Sequence, residues 1–363
     1  MPKVTIYLSS YDHARYLPRS IDSVLNQSFS DFELFILDDA SSDDSWEVIQ
    51  SYTDPRIHPL RNQVNRNDKA VMRQVIAERA AGEYFAVHHS DNIWQPGKLQ
   101  AQVDFLEAHP QVGAVFTNAL AVDENDLEIT DENNWFTYIF DQPNRSREDW
   151  LNFFFYHGNA LCHPSVLIRR HCYADCGSYR DGLGQIPDLD MWVRLALKYS
   201  IHVLPEKWVH YRVPSDGNFI SSFGTDTSNR FHFEWLQVLQ SYRKIPDWEE
   251  MLKVFPAVLP YYRAEGCEVD YVLARLAQES DDPVKQLFGL NTLFEALNDP
   301  AKAARIANLY GFSHKDFLGL TARYDLFGFE LMQRYHALKA SRSYRAATLL
   351  RRVRHGLLPP GRR

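Results

Sequence analysis

The chain has 363 residues, 45% of them hydrophobic and 24% charged, with a formal net charge of −8. That leaves room for about two domains and has a globular balance, which excludes an intrinsically disordered chain. Four cysteines (Cys162, Cys172, Cys176 and Cys267) are too few for a disulfide scaffold, the opening MPKVTIYLSS is strand-like rather than a signal peptide, and no run of about 18 apolar residues could span a membrane, so a cytoplasmic setting is expected.

From the N-terminus, short apolar runs alternate with helical patterns. VTIYLSS (Val4–Ser10), FELFILDD (Phe32–Asp39), YFAVHHSD (Tyr84–Asp91) and VGAVFTN (Val112–Asn118) read as buried strands. Between and after them, Leu17–Gln27, Ser45–Tyr52, Lys69–Ala80 and Pro96–His109 read as helices. The last has Pro96 in its first turn and Leu99, Val103 and Leu106 on one face. The alternation predicts an α/β fold, a mainly parallel Rossmann-like sheet flanked by helices, with ligands outside the C-terminal strand ends. That rule points to SSYDH, DDASSDD and HHSDN. Further on, SVLIRR suggests another strand and Asp188–Tyr199 a helix. Beyond about residue 230 helical periodicity dominates, with prolines placed to start helices at SDDP (Ser280–Pro283) and NDP (Asn298–Pro300). The expected division is a catalytic domain over 1–230, a helical region over 231–335 and a basic amphipathic tail over 336–363.

The carboxylates after the strands carry the chemistry. Asp38 and Asp39 end one strand; they could cap the helix from Ser45 or accept hydrogen bonds from a nucleobase or ribose. His89 and Asp91 share one face by strand alternation. The pair could hold Mg²⁺ or Mn²⁺, imidazole favouring the transition metal, or be a hydrogen-bonded histidine beside a helix-capping aspartate. Asp188 and Asp190 open a helix, either as acids on its macrodipole or with one acting as a general base. Cys162, Cys172 and Cys176 have no standard zinc spacing. The absence of a Gly-rich phosphate loop speaks against a Rossmann oxidoreductase and against a nucleotidyltransferase.

In order and spacing, these segments resemble the inverting nucleotide-sugar glycosyltransferases of family 2, with the A-type glycosyltransferase fold, over about residues 1–225. The resemblance rests on VTIYLSSYDHARYLPRSIDSVLNQSFSDFELFILDDASSD, GEYFAVHHSDNIWQPGKLQAQVDFLEAHPQVGAV, CHPSVLIRR and DLDMWVRLA. It implies that Ser9, Ser10 and Tyr11 meet the base and ribose of a nucleotide-sugar donor, that Asp39 hydrogen-bonds a base, typically uracil, and that Arg73 lies on the donor side. Ser90 is expected with the donor-binding residues. Asp91 matches the last carboxylate of the family's Asp-x-Asp motif and implies a divalent cation, Mn²⁺ or Mg²⁺; Asp188 matches the catalytic base. The sequence departs from the motif at His89, where aspartate is usual, at Asn92 and at Pro187. His89 is expected as an altered metal ligand. The acceptor implied is a saccharide or lipid-linked glycan in surface polysaccharide synthesis; the competing reading is a non-catalytic nucleotide-sugar binder. Trp94, Trp135 and Tyr156 could stack on sugars or belong to the core.

Charge is uneven at the far end. After Glu330 there are nine bases and no acid, and Ala346, Leu350, Val353 and Leu357 recur at helical spacing. Such a tail can dock reversibly on an anionic membrane surface; a solvated end or a homodimer contact are the alternatives. No nucleic-acid partner is expected.

Overall fold

A computed structural model describes residues 1–66, 69–214, 224–326, 328–341, 343–344 and 347. The chain divides into two compact units, Met1–Pro260 and Tyr261–Arg363. This break falls later than the change of texture near residue 230, because the first helices of the helical stretch belong to the first unit.

The first unit is built on an eight-stranded sheet. Strand β1 (Val4–Ser10) is followed by helix α1 (Leu17–Leu25), β2 (Phe32–Asp38), α2 (Ser45–Ser51), β3 (Ile57–Arg61), α3 (Ala70–Gln74), β4 (Tyr84–His89), the two-residue β5 (Ile93–Trp94) and α4 (Lys98–Ala108). Then come β6 (Val112–Val122), α5 (Arg147–His157), β7 (Leu167–Arg169), α6 (His171–Cys176), α7 (Pro187–Ala196), β8 (Ser200–Arg212), α8 (Thr225–Leu239) and α9 (Trp248–Val254). The spatial order is β3-β2-β1-β4-β7-β6-β8-β5. Strands β1 to β4 pair in parallel, as expected. The sheet as a whole is mixed, because β7 runs antiparallel between β4 and β6. The strand expected at SVLIRR is thus three residues long and reversed. Sequence alternation missed β8, whose burial is interrupted by exposed Pro205–Lys207.

Both faces of the sheet are covered, which is why its strands are apolar throughout. On one face Val4, Ile6 and Leu8 join Leu34, Ile36 and Ala86 in a core completed by Leu17, Ile21 and Val24 of α1 and Leu99, Val103 and Leu106 of α4. Helical spacing places each triplet on one stripe. On the other face Phe85 meets Tyr173, and Phe116 meets Trp192 of α7 edge-on. Trp94 belongs to the core, 2% exposed, with its indole N–H donated to the Pro164 carbonyl; Tyr156 is exposed and Trp135 half-buried. The helix expected over Lys69–Ala80 is α3 followed by a π-type turn, Val75–Arg79.

The second unit holds α10 (Val269–Gln278), α11 (Pro283–Asn298), α12 (Pro300–Tyr310), α13 (His314–Thr321) and α14 (Phe329–Ala340). The two expected starts are present: Asp282 caps α11 and Asp299 caps α12, each followed by proline. Helices α10 and α11 approach closely at Gly289, where a Cβ would lie 2.7 Å from the Ala274 carbonyl oxygen. Most of the expected basic tail, including Ala346, Leu350, Val353 and Leu357, lies outside the described residues.

Candidate functional site

Parallel register brings the ends of β1, β2 and β4 to one level: Ser9 lies beside both Leu37 and His89, and Ser10 beside Asp38. Ser10 is 3% exposed and its hydroxyl has no hydrogen-bond partner. The two acids after β2 part company. Asp38 is fully buried, paired with Arg61 Nε at 3.0 Å and accepting the Ser41 N–H, so it holds the turn. Asp39 is half-buried and accepts from Asn62 Nδ2 at 2.6 Å and the Arg66 N–H at 3.1 Å. The loop after β1 is stitched to the one after β2: Asp12 accepts the Ser42 N–H, Ser45 Oγ that of His13, and Asp43 that of Ala14. Most of the Ser/Asp cluster is therefore structural. Tyr11 is left 47% exposed at the rim.

Strand β4 ends at His89, one residue before the turn that carries Asp91, so strand alternation does not govern Asp91. His88 is buried against Trp94 and bonded to Ser20 Oγ at 2.9 Å. His89 is half-buried, its ring edge-on to His163 at 5.1 Å between centroids. Burial pushes its pKa down to about 4, which keeps the imidazole neutral near pH 7. Ser90 is 2% exposed and its hydroxyl is bonded to His13 Nδ1 at 2.8 Å. At Asp91 one carboxylate oxygen is buried without a hydrogen-bond partner. A desolvated, unpaired carboxylate oxygen suits a hard divalent cation. Among the described residues no three His, Cys, Asp or Glu side chains converge on a metal. A cation at Asp91 would therefore complete its shell with oxygens from outside the protein, as Mg²⁺ does with phosphates. Asn92, in place of the usual aspartate, is 1% exposed and accepts the Arg212 N–H at 2.9 Å.

The facing wall is the start of α7. Pro187 is its first residue, so Asp188 and Asp190 both lie in the first turn. Asp190 is fully buried between Arg180 and Arg194. Asp188 is half-buried and accepts from Asn159 Nδ2 at 2.7 Å and the Leu189 N–H at 2.8 Å. Desolvation lifts its pKa to about 6 against those hydrogen bonds. Near pH 7 it is an ionised carboxylate with raised proton affinity, fit to accept a proton. Asp91 and Asp188 both act on the Tyr211 hydroxyl, which ties the two walls together electrostatically. The Lys69 ammonium acts on Asp188, His89 and His163. Arg73 is committed to Asp181 and the Tyr179 carbonyl, while the Tyr179 hydroxyl holds His163 at 2.9 Å. Lys69, Asn159 and Arg212 escaped sequence reading, and His163 stood out only beside the cysteines, whose spacing fits no standard zinc site. Asn159 meets its aspartate 29 residues away and Arg212 reaches the Asp91 carbonyl across 121, so no local spacing marks either.

A mixed sheet flanked by helices, with acids after its parallel strands, is the plan of the A-type glycosyltransferases. The sequence profile of glycosyl transferase family 2 matches residues 5–170, and the chain belongs to that family. An uncharacterized glycosyltransferase of Nostoc sp. PCC 7120 is 30% identical over 236 residues, 61% of this chain and 67% of the relative. The Escherichia coli UDP-Glc:alpha-D-GlcNAc-diphosphoundecaprenol beta-1,3-glucosyltransferase WfaP is 31% identical over 107 residues, 30% of this chain and 42% of its own. Among solved structures, Staphylococcus aureus TarS in complex with UDP-GlcNAc superposes with a TM-score of 0.56 at 16% identity, covering 85% of this chain and 83% of TarS. The mannosyltransferase PcManGT of Pyrobaculum calidifontis, in complex with GDP-Man and Mn²⁺, gives 0.53 at 16% identity, covering 96% and 83%. These likenesses show a shared fold.

The two α7 aspartates should separate in stability measurements. Asp190→Asn strands the buried Arg194 guanidinium and should cost about 3 kcal/mol or more. Asp188 binds its proton more tightly folded than unfolded. It therefore favours folding below its ordinary value of 3.8, and that advantage fades as pH rises through about 6. Asp188→Asn should remove this dependence and leave Tm at pH 8 equal or higher. Thermal unfolding across pH 4 to 8 checks both.

Proposed function

We propose that the protein is a metal-dependent inverting glycosyltransferase. It would move a sugar from a UDP- or dTDP-sugar to a hydroxyl of a saccharide or lipid-linked glycan acceptor in surface polysaccharide synthesis. The observation that carries the reading is Asp188: a half-buried carboxylate with its pKa raised to about 6, close enough to Asp91, with its unpaired oxygen, for both to act on the Tyr211 hydroxyl. WfaP, named for UDP-Glc and a diphosphoundecaprenol-linked acceptor, supports the donor and acceptor classes. TarS with UDP-GlcNAc supports a uridine nucleotide, and PcManGT with Mn²⁺ supports the metal.

In this mechanism Ser9, Ser10 and Tyr11 meet the nucleoside, and Asp39 accepts the N3–H that uracil and thymine offer. Asn62 and Arg66 fix the Asp39 carboxylate for that contact. Asp91 would hold Mn²⁺ or Mg²⁺ on the donor diphosphate, with neutral His89 beside it as a further ligand or a donor to a sugar hydroxyl. When bound, the cation neutralises charge on the diphosphate leaving group. Arg73, through Asp181 and the Tyr179 carbonyl, steadies the wall on the donor side, and Ser90 anchors the first loop through His13. Asp188 takes the proton of the acceptor hydroxyl. The freed oxygen attacks the anomeric carbon from the face opposite the diphosphate, the bond to the diphosphate breaks, and one displacement inverts the centre.

We also read α14 as the start of a membrane-docking segment. Met332, Tyr335 and Leu338 are exposed at successive helical turns, with Arg334 and Lys339 on the same helix and seven of the nine terminal bases beyond it in the sequence. Each base near an anionic surface contributes about 1 kcal/mol. The attachment would be peripheral, on the cytoplasmic face; among the described residues no helix is long and apolar enough to cross a membrane.

A panel of nucleotide sugars with Mn²⁺, followed by nucleotide release, tests the main reading: UDP- or dTDP-sugars should turn over, and tighter binding of GDP than of UDP would contradict the base assignment. Activity should vanish in EDTA and return with Mn²⁺; undiminished transfer in chelator would remove the metal. The kcat/KM profile should fall on the acid side near pH 6, where Asp188 gains its proton. Asp188→Asn should lower kcat by about 100-fold or more with donor binding intact. Asn159→Ala removes a hydrogen bond that favours the carboxylate, so it should move the acid limb upward. Full-length protein should sediment with anionic liposomes at low salt and a truncation after Glu330 should not; equal sedimentation of both would end the membrane reading.

A further inference from the structure

The turn that carries Asp91 lies beyond the last residue of β4 and is tied back to β1 at its start, where the Ser90 N–H donates to the Ser9 carbonyl at 3.1 Å. Three further bonds hold Asp91 and Asn92. The Asn92 N–H donates to the His89 carbonyl at 3.1 Å, and two come from Arg212, the last residue of β8. The Arg212 main-chain N–H donates to Asn92 Oδ1 at 2.9 Å, and its Nε donates to the Asp91 carbonyl at 2.8 Å. The rest of the guanidinium is fully engaged. Its other nitrogens donate to the Asp123 carbonyl and the Asp126 carboxylate, and its plane lies 4.5 Å from the Tyr16 ring centroid. Arg212 is 3% exposed.

Tyr16 closes a second path to the same turn. Its ring meets His13 edge-on at 5.9 Å, and His13 Nδ1 bonds Ser90 Oγ at 2.8 Å. The residue before Asp91 is thus tied through its side chain and Asp91 itself through its carbonyl, leaving the carboxylate as the part of the turn with an unpaired buried oxygen. A bare buried cation here would repel any second cation at that oxygen. The Asp126 carboxylate, which Arg212 shares with Arg19, offsets part of that charge. The contact set also selects arginine. A rigid fork can serve three acceptors in different directions while stacking on a ring, whereas an ammonium on a flexible stem cannot.

We propose that Arg212 is a positioning residue for metal binding. Through the Asp91 carbonyl it orients the Asp91 carboxylate, and so sets cation affinity at the donor diphosphate without touching substrate. The proposal rests on the transferase reading above. It predicts a split between metal affinity and chemistry, because the guanidinium contacts neither Asp188 nor Asn159. Partners that orient a metal ligand typically carry 10- to 100-fold in affinity.

The test compares wild type with Arg212→Lys and Arg212→Gln. Lysine keeps a cation against Asp126 and so guards against loss of the fold, which Tm monitors. Mn²⁺ is titrated by its electron paramagnetic resonance signal with UDP present, alongside UDP binding without metal and the pH dependence of turnover. In both variants half-saturation by Mn²⁺ should rise about tenfold or more. Metal-free UDP binding should hold, kcat at saturating Mn²⁺ should fall less than the affinity does, and the acid limb should stay near pH 6. Folded variants with wild-type Mn²⁺ affinity overturn the proposal, as does full recovery by lysine, since a point charge would then suffice. Wild type that binds no Mn²⁺ with UDP would instead overturn the metal dependence in the transferase reading, and the proposal with it.

Discussion

The candidate site depends on the parallel pairing of β1 with β2 and β4. Three strands in register end together, so the residues that follow them, Tyr11, Asp39 and Asp91, are gathered at one edge of the sheet. Ser9 sits between Leu37 and His89 for this reason alone. A slip of one residue in any of the three would turn its end residues to the opposite face and exchange buried for site-facing groups. The register is protected by core residues, Val4, Ile6 and Leu8 against Leu34, Ile36 and Ala86, that have no part in the chemistry.

On that frame the acids sort into two kinds, and the sorting is by partner. Asp38, Asp43 and Asp190 are each matched by an arginine or by main-chain N–H groups, and they hold turns and helix starts in place. Asp91 keeps one carboxylate oxygen without a partner, and Asp188 is held by two neutral donors with no cation paired to it among the described residues. Two residues apart on α7, Asp190 and Asp188 show the contrast at its sharpest. Burial between two guanidinium groups makes the first a structural anion. Burial with an amide and one main-chain N–H leaves the second with an elevated proton affinity.

The sequence carried the left half of this picture well. Runs such as VTIYLSS and FELFILDD are apolar throughout because both sheet faces are covered, and the amphipathic stripes of α1 and α4 follow from that. The capping prolines of α11 and α12 were equally readable, since a cap is a local device. What failed was non-local. Strand β7 is three residues long and takes its direction from β4 and β6, and β8 is held by β6, with exposed residues in its middle that break the pattern. At the site, Asp39, Asp91 and Asp188 could be singled out by their place after a strand or at a helix start. Their partners Asn62, Asn159 and Arg212 could not, because nothing near them in sequence distinguishes them from surface polar residues. Ser90 shows the converse: its neighbourhood pointed to the ligand, while its hydroxyl is turned to His13.

The borders of the sheet bear on how copies of this chain can meet. At one border is β3, whose central residue is Pro59, exposed and without an N–H to offer. At the other is β5, only two residues long. A foreign strand needs a run of free main-chain donors and acceptors to bind alongside, and at β3 the proline interrupts that run. Sheet continuation from molecule to molecule at this border would leave the central position unpaired, whereas β5 covers only Val209 and His210 of the long β8.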